Sequence, residues 1–169
     1  HPILIGDPDA ITAEAEAANL TFHPDQVLPA WSETEAAQRA ASLLKSGSTH
    51  AAMKGLIHTD VLLKALLDEK AGLRRPGERV SHVFLADIPA YPKLLAITDA
   101  AVNITPDLNA KAAILQNAID LMVSVEVEQP KAAILSAVET VNPLIVSSLD
   151  AAALSVMSAR GQLRGAVVD

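Results

Sequence analysis

An α/β fold, in which strands alternate with helices, is what this sequence predicts, and three observations carry it. Short apolar runs of strand length, at 3–5, 80–86, 131–137 and 165–168, alternate with longer stretches of helical period. Half of the residues are apolar but only 2% are aromatic, so Ala, Leu, Ile and Val build the core. That composition suits small-residue helices packed on a buried sheet. Helix-start signals fall between the runs, as at Ser32-Glu33-Thr34-Glu35 and Thr59-Asp60. The alternation predicts a parallel or mixed sheet covered on both faces. With 169 residues the chain has room for one large domain or two small ones.

Each element has its own signal. Residues 3–5 read as a buried strand, and Gly6-Asp7-Pro8 turns it into a helix over 9–18 with Asn19 as the cap at its end. Residues 20–23 read as a short second strand. Ser32 and Glu35 form a capping box, in which a hydroxyl and a carboxylate three residues on satisfy free amides. The helix they open runs to Lys45 and stops at Gly47. Ala51-Ala52-Met53 reads as a short strand broken by Lys54-Gly55. Thr59-Asp60 starts a helix with Val61, Leu62, Ala65 and Leu66 on one face, ended by Gly72. The polar, basic stretch from Arg74 through Arg75, Pro76 and Gly77 to Arg79 reads as a linker and domain boundary, which divides the chain into residues 1–75 and 76–169.

Beyond the linker, residues 80–86 and 94–98 read as an antiparallel pair joined by the proline-bounded segment 87–92. Thr105 is the expected cap of the next helix, with Pro106 in its first turn. Leu108, Ala112, Leu115, Ile119 and Met122 form one helical stripe. Residues 131–137 read as a buried strand with Ser136 at its carboxyl end. Ser148 or Asp150 opens the last helix, Gly161 ends it, and 165–168 is the final strand. The chain starts at His1 rather than Met and stops directly after a strand-like run, whereas ligands in open α/β sheets gather beyond strand carboxyl ends. A fragment, or a chain processed from a longer one, is the expectation.

Several function classes are disfavoured. A net charge of −7 and three rings other than the lone tryptophan argue against a binder of nucleic-acid backbones or stacked bases. The absence of cysteine excludes disulfides, thiolate metal sites and a cysteine nucleophile, and is compatible with a cytoplasmic location. No apolar run reaches membrane-span length. The glycine fingerprints of dinucleotide and P-loop sites are missing, as are GxSxG, HExxH and any metal-ligand spacing of histidines.

Four clusters carry the residues with useful chemistry. Met53-Lys54-Gly55-Leu56-Ile57-His58-Thr59-Asp60 lies between a predicted strand and a predicted helix. It reads either as an ordinary capped turn or as a site where glycine lets the backbone approach a ligand, free amides face an anion, and Lys54 and His58 add charge or a proton acceptor. Ser81-His82, preceded by Arg74, Arg75 and Arg79, reads either as a solvated linker or as a phosphate grip. Asp99 and Asn103 follow a strand and either hydrogen-bond their own turn or line a cleft. Ser136, Glu139, Thr140 and Asn142 belong either to a polar loop or to a set of small groups that hold phosphate oxygens. Asn117 and Asp120 read as a solvated helix face.

Taken in order, these segments resemble one family, the phosphate acetyl/butyryltransferases. Met53 to Asp60 resembles its MKGxxHTD motif, and Ser81-His82-Val83-Phe84, Tyr91-Pro92-Lys93 and Ile97-Thr98-Asp99-Ala100-Ala101-Val102-Asn103-Ile104 follow. Gln116-Asn117-Ala118-Ile119-Asp120, the run from Ala133 through Ser136 to Val141, Leu149-Asp150-Ala151-Ala152-Ala153-Leu154 and Arg160-Gly161-Gln162 continue the match. It is looser before Met53, mainly at Ile3-Leu4-Ile5-Gly6. The resemblance is nearest to the acyltransferase half of fused enoyl-CoA hydratase/phosphate acetyltransferase proteins.

The resemblance implies two α/β/α lobes of the isocitrate/isopropylmalate dehydrogenase-like type, incomplete here at both ends, with the active site between them. It implies direct acyl transfer between coenzyme A and inorganic phosphate in a ternary complex, with no metal or redox cofactor, in a homodimer or larger homo-oligomer. The candidates are His58 and Lys54 for catalysis; Gly55, Thr59, Asp99, Asn103, Ser136, Glu139 and Thr140 for substrate binding; and Arg74, Arg79 and Ser81 for phosphate and coenzyme A. Lys54 departs from the Ser-Gly-x-x-His-Ser pattern of related acetyltransferases, which leaves its role open. The family continues past Asp169 with a stretch that carries an arginine and an aspartate assigned to catalysis. The other readings are a non-catalytic coenzyme A/phosphate-binding module or inactive fragment, and a dehydrogenase-like protein acting on phosphorylated substrates, which lacks its expected metal-ligand carboxylates.

Overall fold

The computed structural model of the chain describes residues 1–69, 72–74 and 77–169, and among these described residues the strands form three two-stranded ladders rather than one continuous sheet. Contacts divide the chain into two units, His1–Gly77 and Glu78–Asp169.

In the first unit, strand β1 (Leu4–Gly6) runs parallel to β2 (Val27–Pro29), with Leu4 opposite Val27 and Ile5 opposite Leu28. Helix α1 (Pro8–Ala17) connects them. Asp7 caps it: one carboxylate oxygen accepts from the amides of Asp9 at 2.9 Å and Ala10 at 3.4 Å, and proline occupies the first turn where its missing donor does no harm. Asn19 follows the helix at φ 54, the left-handed conformation that asparagine tolerates. The expected strand at 20–23 is not formed. That run feeds a 3₁₀ turn (Pro24–Gln26), and the partner of β1 is β2 instead. A three-residue run closed by Pro29 carries little periodic signal; only pairing with β1 makes it a strand.

Helix α2 (Glu33–Lys45) is capped as expected by Ser32, whose hydroxyl accepts from the Glu35 amide at 3.2 Å. Glu35 completes the cap one residue early, accepting from the Trp31 amide at 2.8 Å rather than from Ser32. Ala37 and Ala41, one helical turn apart, are each 1% exposed, and α2 packs on β1 and on helix α3 (Thr59–Leu66). The expected strand at 51–53 is also absent: Met53 is 97% exposed, and no ladder reaches it among the described residues. After α3 the chain doubles back, with the Leu73 amide donating to Leu66 O at 2.8 Å. A Cβ on Gly72 would lie 2.3 Å from Leu66 O, so this reversal requires glycine. Arg75 and Pro76 of the expected linker, like Lys70 and Ala71, lie outside the described residues.

The second unit opens with the expected antiparallel hairpin, β3 (Val83–Ile88) and β4 (Tyr91–Thr98). The first strand is shifted, starting at Val83 rather than Val80 and running on to Ile88, and the second starts earlier, at Tyr91, so the anticipated connection shrinks to a turn at Pro89-Ala90. Helix α4 (Leu108–Ser124) is capped by Asp107, whose carboxylate accepts from the Ala110 amide at 2.7 Å, and not by Thr105. A carboxylate placed nearer the helix takes the cap, and Pro106 falls ahead of it. The expected stripe is the buried face: Leu115, Ile119 and Met122 are buried, and Leu108 and Ala112 pack beside them.

Helix α5 (Val146–Ala159) adds Leu154, 1% exposed, to a core cluster with Leu115, Ile119, Leu163 and Val168. It starts two residues before Ser148, the earlier of its two expected openings. Ser148 is buried in the first turn, where its hydroxyl accepts from the Asn142 amide at 2.9 Å. The last strands, β5 (Lys131–Ala132) and β6 (Val167–Val168), pair in parallel and are shorter than expected. The Asp169 amide to Ala132 O at 2.9 Å and the Ile134 amide to Asp169 O at 2.7 Å prolong that pairing. No helix among the described residues is long and apolar enough to cross a membrane.

Candidate functional site

His58 occupies the cap position of α3, yet its side chain does not cap the helix. It turns to Glu33, the first residue of α2. His58 Nδ1 lies 2.8 Å from both Glu33 carboxylate oxygens, and the His58 amide donates to Glu33 Oε2 at 3.0 Å. An ionised carboxylate has no proton to give, so Nδ1 is the donor and Nε2 is left facing away. Hydrogen bonds from the His58 amide and ring hold the Glu33 carboxyl below its usual range. The hydrogen bond and charge of Glu33, helped by Asp60 and opposed by Lys54, raise the pKa of His58. Both side chains are exposed.

Lys54 folds back over its own turn, where Nζ donates to Gly55 O and Ile57 O, each at 3.1 Å. A Cβ on Gly55 would meet nothing within 4 Å, so neither the backbone nor the packing of this unit demands a glycine there. Thr59 is exposed in the first turn of α3. The structure therefore brings His58, Lys54, Gly55 and Thr59 together on one turn. A groove of about 420 Å³ between α2 and α3 is lined by Thr34, Gln38, Asp60, Val61, Lys64 and Asp68; of the Met53–Asp60 cluster only Asp60 reaches it, and His58, Lys54, Gly55 and Thr59 do not line it.

A second cluster lies in the other unit, at the end of β4. Asp99 is an acceptor hub: Oδ1 takes the amides of His82 at 3.2 Å, Ala101 at 3.3 Å and Val102 at 3.2 Å, while Oδ2 takes the Asn103 amide at 3.0 Å and the Asn103 side-chain amide. Burial pushes this carboxyl up, but the bonds from Asn103, Val102, Ala101 and His82 together outweigh it and bring it down to about 2. Asn103 also donates to Val80 O at 3.0 Å and accepts from Arg79 Nη1 at 2.8 Å. Asn117 of α4 donates to Arg79 O at 2.8 Å and to Ser81 Oγ at 3.0 Å, so it does not belong to a merely solvated face. Arg79, Ser81, Asp99 and Asn103 thus form one network, and Asp99 holds the turn together. His82 sits beside it with its ring 4.3 Å from that of Phe84 and Nδ1 buried without a hydrogen-bond partner among the described residues.

Ser136 shares a hydrogen bond with Ser147 of α5 at 2.9 Å; Glu139 and Thr140 are exposed further along the same loop. Arg74 belongs to the first unit, where it pairs with Glu69 at 3.7 Å, and Arg75 lies outside the described residues. Sequence reasoning missed Glu33 and Ser147. Glu33 was absorbed into the capping pattern of its own helix, and its partner lies 25 residues away, where no local spacing points to it.

Residues 26–169 match the model of a family described as "Phosphate acetyl/butaryl transferase". The chain belongs to this family. Among its transferase relatives, a phosphate acetyltransferase of Rickettsia felis is 46% identical over 169 residues, covering 99% of this chain and 48% of its own length. A phosphate butyryltransferase of Clostridium acetobutylicum is 37% identical over 167 residues, covering 99% of this chain and 55% of its own length. A branched-chain phosphotransacylase from Enterococcus faecalis V583 has the same mixed α/β fold, with a TM-score of 0.72 and 25% identity over 98% of this chain and 67% of that one. The chain spans about half the length of the curated transferases it matches.

Proposed function

We propose that this chain is part of a two-lobe, dehydrogenase-like phosphate acyltransferase that moves an acetyl or butyryl group between coenzyme A and inorganic phosphate, working as a cytoplasmic homodimer or larger homo-oligomer. The observation that carries the reading is that an acetyltransferase and a butyryltransferase each match over 99% of the chain. In this reading a phosphate oxygen attacks the thioester carbonyl, the C–O bond forms and the C–S bond breaks. His58, protonated at Nε2, gives its proton to the departing sulfur and regains one from the attacking phosphate. In reverse the neutral ring takes the thiol proton, so one group serves both directions. No covalent acyl-enzyme and no metal or redox group is required.

Other candidates take binding roles. Gly55 leaves open space beside the turn for close approach of a substrate, and Lys54 and Thr59 supply a charge and a hydroxyl. Arg74, Arg79 and Ser81 hold phosphate and coenzyme A, and Asp99, Asn103, Ser136, Glu139 and Thr140 shape the substrate pocket. The test is thiol release by the full-length protein from acetyl-, propionyl- and butyryl-CoA with phosphate. Phosphate-dependent release with at least one is expected; none with any of the three overturns the reading. Calorimetric binding of coenzyme A without such release would point instead to a non-catalytic module.

A further inference from the structure

We infer that Glu33 is a positioning residue for acyl transfer, which locks the His58 imidazole as an Nδ1–H donor and presents Nε2 to the reacting atoms. The inference rests on the proposed role of His58. Its own ground is geometric. Glu33 starts one helix and His58 precedes another, so the contact is not a helical neighbour pair. A single carboxylate grips both the backbone amide and the ring of His58, at 3.0 Å and 2.8 Å, which fixes the ring relative to its own main chain. With Nδ1 committed, only Nε2 is available to exchange a proton, the division of labour by which a carboxylate orients a histidine base or acid.

A clamp between helix starts needs only the bond to the backbone amide. The ring contact does something more: it selects a tautomer and favours the cation. The charged groups acting on the ring are Glu33 of α2, Asp60 of α3 and Lys54 of the preceding turn; the first two favour the imidazolium and Lys54 opposes it. With a raised pKa, the acid form that protonates the leaving sulfur persists to higher pH. The pair is exposed, so its worth to stability is small and its effect belongs in the chemistry.

The experiment compares the full-length wild-type protein with Glu33→Gln and Glu33→Asp. It reads the His58 ring titration and tautomer by NMR, and the pH profile of phosphate-dependent thiol release. Glu33→Gln is expected to move the His58 titration and the alkaline limb of the profile to lower pH together. It should lower kcat by roughly 10-fold, less than the 10²–10⁴ attributed to an acid–base group itself, with the KM for phosphate unchanged. Glu33→Asp, which keeps the charge, should restore part of both shifts. An unchanged ring titration, or a shifted titration with an unmoved alkaline limb, would reduce Glu33 to a helix clamp and overturn the inference. Wild-type protein without phosphate-dependent release would instead overturn the proposed function, and the NMR comparison alone would then decide the coupling.

Discussion

Lys111 of α4 and Asp150 of α5 form a part-buried ion pair, Nζ to Oδ2 at 2.5 Å, that ties together the two helices of the second unit's core. The pair is 39 residues apart in sequence and stands beside the apolar contact of Leu115 and Leu154. Charges removed this far from water are little screened by salt, and removing one leaves the other without its compensation. Lys111→Ala is therefore expected to destabilise the protein by about 1–2 kcal/mol, with little relief at higher ionic strength. Urea denaturation at low and high salt checks it; a loss that disappears in salt would place the pair in solvent.

Asp99 should make stability depend on acid. Its carboxyl falls from the ordinary 3.8 to about 2 in the folded chain. A group depressed on folding contributes stability that is present above its unfolded pKa and is lost as pH falls through its folded one. The contribution, about 1–2 kcal/mol after discounting for partial exposure, should be whole above pH ~4 and gone below pH ~2. Asp99→Asn should thus be less stable than wild type near neutrality, with the gap closing between those limits. Parallel denaturation series against pH test this; a constant gap would contradict the assigned window.

Leu154 is the most enclosed large side chain in the second unit. Truncation to alanine removes transfer energy and leaves a cavity among Leu115, Ile119, Leu163 and Val168. A cost of about 2–5 kcal/mol is expected. Thermal unfolding should show a lower midpoint for Leu154→Ala. A cost under ~1 kcal/mol would mean that the site collapses to fill the space.

His58 should behave in the opposite way. Its side chain is 75% exposed, so His58→Ala is expected to leave the melting temperature nearly unchanged. The proposed phosphate-dependent thiol release by the full-length protein should fall by roughly 10² or more. Steady-state kinetics beside a thermal melt separate the two, and unchanged kinetics would remove His58 from the reaction.

Much of the local structure was legible in the chain because its causes are local. Ser32 lies three residues before the amide it caps, the stripe from Leu108 to Met122 repeats at helical spacing, and Gly161 at φ +73 ends α5 where the sequence placed a stop. The turn that carries Lys54, Gly55, His58 and Thr59 was legible for the same reason, since the four are near neighbours in sequence.

Only the tertiary structure decided which segments pair and where the polar side chains point. Residues 27–29 became a strand and 51–53 did not, because a strand of three residues exists only if a neighbour supplies its hydrogen bonds, and β1 supplies them to the former. Glu33 looked like part of a helix cap until folding brought it to His58, and Asp99 and Asn103 drew their partners from Val80, His82 and Arg79. Residue type and spacing set what each side chain can do; contacts made across tens of residues, which leave no period in the sequence, set what it does.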